Sequence, residues 1–292
     1  DNGYDTAFFG KNHNTPVWEN GPMGPFDHCT TDKGFDYFYG FNAPYADQFH
    51  PDLIENCNPV RPPDQPGYIL DRDLSDHLIH WLRVQHTVRP DHPFFAYYAS
   101  GATHSPHMAP RDWIERFKGR FDQGWDRLRE ETLARQKAAG IVPANTVLTP
   151  RPPELPAWDS LSPEMKRVYA RMMEVYAGFI AHADHHIGRV LDHLEATGDL
   201  DNTVVVFVSD NGTSGEGGPN GTYNQLGHYI SDKPDDIADE LAHIDDLGGF
   251  RSSGHYPWGW ALAGNTPFQR WKRYTFEGGV RDPFILTAPG IT

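Results

Sequence analysis

The feature that most restricts the fold of this chain is a long amphipathic segment that leads directly into an apolar strand. Apolar residues recur at three- and four-residue steps from Val168 to Leu194, and Gly198 follows as a stop, which predicts a long helix. Residues 204–208, VVVFV, are apolar without alternation, as in a strand covered on both faces. A helix followed by such a strand indicates an α/β fold, with a doubly wound, mostly parallel sheet and helices on both faces.

Other segments fit the same architecture. Strands are predicted at residues 7–9, 93–100 and 284–287, and helices at residues 74–82 and within 110–140. Residues 42–72 and 212–265, rich in Pro, Gly, Asn or Asp, are predicted to be loop insertions. We therefore expect a single domain over residues 1–292. Because the chain begins without Met and stops just after a strand, we expect a piece of a longer protein whose sheet is incomplete at both ends.

Charge and composition exclude several classes of function. The formal net charge of −15 argues against general nucleic-acid binding, which favours a basic surface. An anionic substrate would need a local group of cations to overcome this charge. No apolar run approaches the ~18 residues of a membrane span. The two cysteines, Cys29 and Cys57, are too few for a disulfide scaffold but allow one disulfide.

Polar side chains follow the predicted strands and a glycine turn. The clusters are Lys11 with His13, His104 with His107, Asp210 with Asn211, and Lys272 near Gly278-Gly279. Ligands of open α/β sheets bind beyond the carboxyl ends of the strands, which is where most of these clusters fall. Oxygens of Asp and Asn suit a hard cation such as Ca²⁺ or Mg²⁺. Lysine and histidine suit an anionic tetrahedral group. Each cluster alone is also typical of an ordinary turn or surface loop, so the hypothesis depends on their joint placement.

Five segments, in this order, resemble the type I sulfatases of the alkaline-phosphatase superfamily. They are GYDTAFFGKNH, GFDYFYGF, THSPHMAPRDW, GRVLDHLEATGDLDNTVVVFVSDNG and KRYTFEGGVRDP. The likeness runs along almost the whole chain and is greatest to large bacterial arylsulfatases with a long insertion after the Asp-Asn pair. The resemblance implies an alkaline-phosphatase-like core.

The resemblance also implies the roles of particular residues. Asp210 and Asn211 would ligate a Ca²⁺, with Mg²⁺ less favoured. The implied catalytic residues are Lys11, His13, His104 and Lys272. Lys11 and His13 would contact the nucleophile, with His13 as a base, while His104 and Lys272 would hold the ester and assist the leaving oxygen. His104 occupies the His-x-Pro position, so His107 is assigned a structural role. Position 12 is Asn where the family usually has Trp, and we expect a packing change there.

The nucleophile of the family is a formylglycine made from the Cys of Cys-x-Pro-x-Arg. CNPVR at residues 57–61 matches this pattern, but it follows the Gly-Lys-x-His segment, whereas the family motif precedes it and starts a helix. A proline-rich stretch of this kind would open no helix. We therefore favour a chance match or a buried thiol for Cys57. The nucleophile and a pair of metal-binding aspartates are expected upstream, so residues 1–292 alone should bind metal weakly and be inactive.

The sequence thus predicts hydrolysis of a small-molecule or glycan sulfate ester, with no nucleic-acid partner and no membrane segment. Two alternatives remain open. One is a phosphodiesterase or phosphonate monoester hydrolase of the same superfamily, and the other is a non-catalytic relative that binds sulfate or glycan. The presence of Lys11, His13, His104 and Lys272 together argues against the second alternative, because binding alone would not require an acid and a base. Compartment and oligomeric state are left open.

Overall fold

The computed structural model describes residues 2–231 and 236–290. Within these ranges the strands are β1 Asp5–Lys11, β2 Tyr37–Phe41, β3 Leu53–Glu55, β4 Asn58–Val60, β5 Phe94–Ala99, β6 Val205–Val208 and β7 Phe284–Thr287. The helices there are α1 Leu70–Val88, α2 Arg111–Glu115, α3 Gly124–Ala138, α4 Pro163–Thr197, α5 Gln225–Ser231, α6 Ile237–Ala242, α7 Trp258–Gly264 and α8 Glu277–Val280. The chain forms two compact units: Asp1–Pro106 with Phe179–Asp199, and His107–Gly178 with Leu200–Thr292.

The first unit is built on a five-stranded sheet in the order β4-β3-β2-β1-β5. Strand β1 lies between β2 and β5 and is parallel to both, whereas β3 and β4 add an antiparallel hairpin at one edge. Phe8 and Phe9 of β1 point to opposite faces, and both are buried. The ring of Phe9 lies 6.3 Å from that of Trp81 on α1, so α1 covers one face of the sheet. The result is a mixed sheet whose three longest strands are parallel.

Several sequence-based predictions of secondary structure are confirmed. The long helix is α4, and the amide N–H of Gly198 donates to the carbonyl oxygen of Glu195 just beyond its end. The strands predicted at residues 7–9, 93–100 and 284–287 are β1, β5 and β7. The helix predicted at residues 74–82 is α1, which begins four residues earlier, with Asp71 and Asp73 in its first turn where their charge suits the helix dipole.

The two predicted insertions contain more regular structure than expected. Residues 42–72 include the β3–β4 hairpin, and the 212–265 segment includes α5, α6 and α7. A disulfide links Cys29 to Cys57, with 5.6 Å between the two Cα atoms. Short strands and helices of this kind carry too few residues to show a periodic pattern, which explains why composition alone suggested loops.

The second unit has a core of tryptophan side chains. Trp125 of α3 packs edge-on against Trp158 and against Trp260 of α7, with ring centres 4.9 and 5.6 Å apart. The indole N–H of Trp260 donates to the carbonyl oxygen of Tyr169, which ties α7 to α4. Edge-to-face aromatic pairs contribute roughly 0.5–1.5 kcal/mol each beyond the area they bury, so this cluster is a main stabilising element of the unit.

One prediction about β6 is wrong. The apolar run at residues 204–208 was expected to be covered on both faces within a parallel sheet. Among residues 2–231 and 236–290, β7 is the one strand that pairs with β6, in antiparallel register, and Val206 and Val208 are exposed by 52% and 59%. The apolar character of the run correctly indicated a strand, but burial also requires neighbouring elements on both faces, and the described part of the chain provides β6 with one paired strand.

Candidate active site

Lys11 and His13 lie where β1 ends. Gly10, directly before Lys11, has a φ of +108°, and a Cβ there would lie 1.9 Å from the carbonyl oxygen of Ala99. Only glycine fits such close approach of β1 to β5 in this backbone conformation. Lys11 is half-buried as the last residue of the strand, and His13 is exposed two residues later.

Asn12 anchors this loop. Its side chain is 2% exposed, and its amide nitrogen lies 3.1 Å from Thr15 Oγ1, 2.9 Å from Thr30 Oγ1 and 3.0 Å from Asn42 Oδ1. Its Oδ1 accepts a hydrogen bond from the backbone N–H of Asn14. Position 12, for which the sequence predicted a packing change relative to Trp, is thus occupied by a buried polar side chain with several hydrogen-bond contacts. These bonds hold the turn between Lys11 and His13.

His104 follows β5 and is held by its own turn. Its backbone N–H donates to the carbonyl oxygen of Gly101 at 3.1 Å, and its Nδ1 lies 2.8 Å from the carbonyl oxygen of Ser105. A carbonyl oxygen only accepts, so the ring carries a proton on Nδ1. Nε2 is therefore the atom that takes up or releases a proton. Since Gly10 of β1 is in register with Ala99 of β5, the Lys11 and His104 segments leave the same edge of one sheet.

His107, in the second unit, is buried rather than presented at a strand end. Its side chain is 2% exposed, and its ring lies 4.9 Å from that of Tyr176, 4.4 Å from that of His255 and 4.8 Å from that of Tyr256. Burial among these three rings agrees with the structural role assigned to His107 from the sequence.

Asp210 and Asn211 form a turn directly after β6. Gly212 follows, and its N–H donates to the carbonyl oxygen of Gly279 at 3.3 Å. A Cβ at Gly212 would lie 1.9 Å from the carbonyl oxygen of Gly278, so glycine is required where these two turns touch. Burial, and then the charge of Asp210, raises the pKa of the Asp282 carboxyl. The two carboxylates therefore repel one another at this turn.

Lys272 lies against the same segment. Its backbone N–H donates to the carbonyl oxygen of Thr213 at 3.0 Å, and its ammonium nitrogen is 3.5 Å from an oxygen of Glu216. The second unit thus brings Asp210, Asn211 and Lys272 into one neighbourhood. Sequence reasoning missed Glu216, although a carboxylate inside the glycine-rich GTSGEGG segment after the Asp-Asn pair was a signal that could have pointed to it.

The donor chemistry of the Asp210 turn fits a hard cation. Carboxylate and carboxamide oxygens are preferred by Ca²⁺, and the repulsion between Asp210 and Asp282 is the kind that a cation relieves. Within residues 2–231 and 236–290, no group of three or more His, Cys, Asp or Glu side chains is arranged to hold a metal ion. The described residues therefore offer part of the roughly six to eight oxygens that Ca²⁺ takes.

The CNPVR match does not place a nucleophile. Cys57 lies in the turn between β3 and β4 and is joined to Cys29 by the disulfide, so it is not the buried thiol favoured from the sequence. A cysteine in a disulfide has no thiol that could be converted to formylglycine. The absence of a helix after Cys57 agrees with the expectation that its prolines would open none.

The fold and these clusters define a class of protein, an α/β scaffold with cationic and oxygen-donor groups in the turns that follow its strands and in its glycine turns. The model of the Sulfatase family matches residues 1–292. The chain belongs to the sulfatase family.

Two relatives illustrate the range of similarity. The chain is 33% identical over 261 residues to an uncharacterized sulfatase of Schizosaccharomyces pombe, covering 88% of this chain and 45% of the relative. It is 29% identical over 312 residues to an arylsulfatase of Klebsiella aerogenes, covering 100% of this chain and 61% of the relative. The chain therefore spans about half the length of these relatives.

Solved structures agree in fold. Ps i-CgsB in complex with k-i-k-neocarrahexaose matches with a TM-score of 0.54 at 19% identity, covering 98% of this chain and 45% of that chain. A protein solved in complex with its substrate, D-glucosamine-2-N,6-O-disulfate, matches with a TM-score of 0.51 at 18% identity, covering 98% of this chain and 53% of that chain. These matches confirm the predicted alkaline-phosphatase-like α/β fold.

Proposed function

We propose that this chain is part of an enzyme that hydrolyses sulfate esters, with a formylglycine nucleophile from a Cys-x-Pro-x-Arg segment outside residues 1–292. The observation that supports this most is the register of β1 with β5, which brings the Lys11, His13 and His104 segments to one edge of a sheet. Membership of the sulfatase family supplies the class of ester.

Each proposed catalytic side chain has a distinct task. Lys11 contacts the nucleophile, and Lys272 places positive charge on the sulfate, where negative charge builds up. At ~4 Å and an effective dielectric of ~20, one such charge pair is worth roughly 4 kcal/mol before desolvation. His104 gives a proton from Nε2 to the leaving oxygen, since its Nδ1 is held by the Ser105 carbonyl. His13, exposed two residues after the end of β1, would remove the proton whose loss allows sulfate to depart.

Asp210 and Asn211 would hold a metal ion, which we propose is Ca²⁺. When bound, the ion would neutralise charge on the sulfate oxygens. Glu216 keeps the Lys272 ammonium close to the turn that carries these two oxygen donors. The chain's own contribution is therefore to bring two oxygen ligands and one cation, which are far apart in sequence, into one neighbourhood of the second unit.

We propose a small-molecule or glycan sulfate ester as the substrate class. The arylsulfatase of Klebsiella aerogenes and the solved protein whose substrate is D-glucosamine-2-N,6-O-disulfate support these two forms. None of the helices in the described ranges combines the length and apolar character needed to cross a bilayer. Because the net charge of the chain is −15, an anionic ester would be repelled by the protein as a whole. The lysine and histidine side chains named above are therefore the groups that would recognise it.

A kinetic experiment on the full-length protein tests this proposal. An aryl sulfate, a sulfated sugar and an aryl phosphonate are assayed side by side, and Lys272→Ala is expected to lower kcat for the sulfates by roughly 100-fold or more. Lys118→Ala is the matched control, because that lysine is 78% exposed on the same unit and should leave kcat unchanged. Faster hydrolysis of the phosphonate than of either sulfate, or an unchanged rate in Lys272→Ala, would contradict the proposal.

A further inference from the structure

A fully buried carboxylate lies behind the His104 turn. Asp71, in the first turn of α1, is 0% exposed, and its Oδ1 accepts a hydrogen bond of 2.6 Å from the hydroxyl of Ser100. The Ser100 oxygen in turn accepts the backbone N–H of Ala102 at 3.1 Å. A serine hydroxyl has one proton and two lone pairs, so both bonds form at once. Ser100 therefore joins Asp71 to the turn in which His104 donates its N–H to Gly101.

The second carboxylate oxygen of Asp71, Oδ2, faces a row of side chains from α4, namely His182, His186 and Arg189. The guanidinium of Arg189 lies 3.0 Å from Nδ1 of His186, and Nε2 of His186 lies 3.1 Å from Nε2 of His182. Nδ1 of His182 lies 3.6 Å from Oδ2 of Asp71, an ion-pair distance. These groups are in the same unit as Ser100 and His104.

The hydrogen bonds among Arg189, His186 and His182 can each be assigned a donor and an acceptor. Arginine only donates, so Nδ1 of His186 accepts, and the neutral ring carries its proton on Nε2. Burial, reinforced by the neighbouring His182, lowers the pKa of His186 to about 3, which keeps the ring neutral. Nε2 of His182 then accepts, and its proton lies on Nδ1, facing Asp71. Arg189 therefore donates to His186 and His186 donates to His182, whose Nδ1 lies 3.6 Å from Oδ2 of Asp71, an ion-pair distance rather than a hydrogen bond.

This arrangement keeps Asp71 in place. A buried carboxylate is costly unless it is hydrogen-bonded or paired, and Asp71 has the hydroxyl of Ser100 on one oxygen and the ring of His182 near the other. Hydrogen bonds to a charged acceptor are shorter and stronger than neutral ones. The 2.6 Å hydrogen bond from the Ser100 hydroxyl to Asp71 therefore ties the backbone of the turn to α1.

We propose that Asp71 and Ser100 are positioning residues for His104: they set the turn so that Nε2 of His104 meets the leaving oxygen of the ester. This inference rests on the proposed function, in which His104 protonates that oxygen. A displacement of about 1 Å at a catalytic group can cost on the order of 100-fold in rate. Loss of the Ser100 bond should therefore appear as poorer proton donation.

Leaving-group dependence separates positioning from a structural role. A nitrophenol leaves as its anion and needs little help, whereas a sugar or alkyl alcohol needs a proton. In the full-length protein, Ser100→Ala should lower kcat by roughly 10- to 100-fold for an alkyl or sugar sulfate, and by less than about threefold for nitrophenyl sulfate. KM should stay within about twofold for both, and Ser100→Thr, which keeps the hydroxyl, should restore the rate.

Control variants make the result decisive. Ser75→Ala removes a buried hydroxyl of α1 that contacts Tyr98 and the carbonyl oxygen of His186 but not Ser100, and it should keep the wild-type dependence on the leaving group. His104→Ala should show the same dependence as Ser100→Ala, only more strongly. If His104→Ala lacks this dependence, the proposed role of His104 fails. If His104→Ala shows it and Ser100→Ala lowers all substrates equally or none, the positioning role is overturned.

Discussion

Single polar side chains hold the loops that carry the proposed chemistry. Asn12 ties the Lys11–His13 turn to Thr30 and Asn42, and Ser100 ties the His104 turn to Asp71. Each of these contacts joins residues between 18 and 30 positions apart in the chain. A loop anchored in this way loses less conformational entropy when it binds a ligand, because it is already ordered.

At this scale we predict the effect of removing one oxygen donor. Asp210→Ala in the full-length protein should weaken Ca²⁺ binding, measured by titration calorimetry, and should abolish sulfate-ester hydrolysis in parallel. The reason is that the carboxylate is the one charged donor of the Asp-Asn pair, and hard cations bind anionic oxygens best. Asp201→Ala, an exposed carboxylate nine positions earlier, is the control and should change neither property. Normal activity of Asp210→Ala without added Ca²⁺ would refute the metal assignment.

Among the elements, α1 is tied to the sheet by a polar group as well as by its apolar face. Tyr39 of β2 and Tyr68 donate hydrogen bonds of 2.6 and 2.9 Å to Asp73 of α1. His77, one turn later, lies 3.3 Å from the same carboxylate and stacks on the ring of Tyr39 at 3.6 Å. These contacts fix how α1 sits on β2, and they involve two groups that titrate.

The two groups have opposite pKa shifts. Burial by itself would raise the pKa of Asp73, but hydrogen bonds from His77, Tyr39 and Tyr68 outweigh it, so the pKa is lowered. Burial would lower the pKa of His77, but its hydrogen bonds to Asp73 outweigh it, so the pKa is raised. The Asp73 contribution to stability is present above its unfolded pKa of about 3.9 and lost as pH falls through the lower folded value. The His77 contribution is present below about 6.5 and lost as pH rises through the higher folded value.

We therefore expect the pair to stabilise the fold most between about pH 4 and 6.5. His77→Gln should reduce stability at pH 6 and should flatten the decline in stability between pH 6 and pH 8, measured by chemical denaturation. His80→Gln, an exposed histidine three positions further along α1, should follow the wild-type pH profile. If His77→Gln and the wild type decline in parallel, the raised pKa of His77 is not linked to folding.

On the scale of the whole chain, residues 1–292 expose an apolar two-stranded sheet. Val206 and Val208 of β6 and Phe284 and Leu286 of β7 share one face, and all four are more than 40% exposed. Surfaces of this kind are uncommon on folded proteins, because contact of apolar groups with water is unfavourable.

We predict that residues 1–292 expressed alone bind a hydrophobic fluorescent dye at this sheet. The double variant Val206→Thr and Phe284→Thr, which keeps residues compatible with a strand, should reduce the fluorescence by about half or more. Two changes to threonine at exposed apolar sites elsewhere, Val17→Thr and Met23→Thr, serve as the control and should have a smaller effect. Equal loss of signal in both double variants would show that the β6–β7 sheet is not the binding surface.

Local patterns in the sequence were sufficient for the long helix α4, the strands β1, β5 and β7, and the clusters at the strand ends, because side-chain periodicity and turn chemistry act over a few residues. The sulfatase family was likewise recognisable from short segments in order. The disulfide of Cys29 with Cys57, the partner of β6, and the contacts of Asp71 with Ser100 and His182 were decided only by the tertiary structure. These contacts join residues from 28 to 111 positions apart, and such pairs depend on how the whole chain packs rather than on any local pattern.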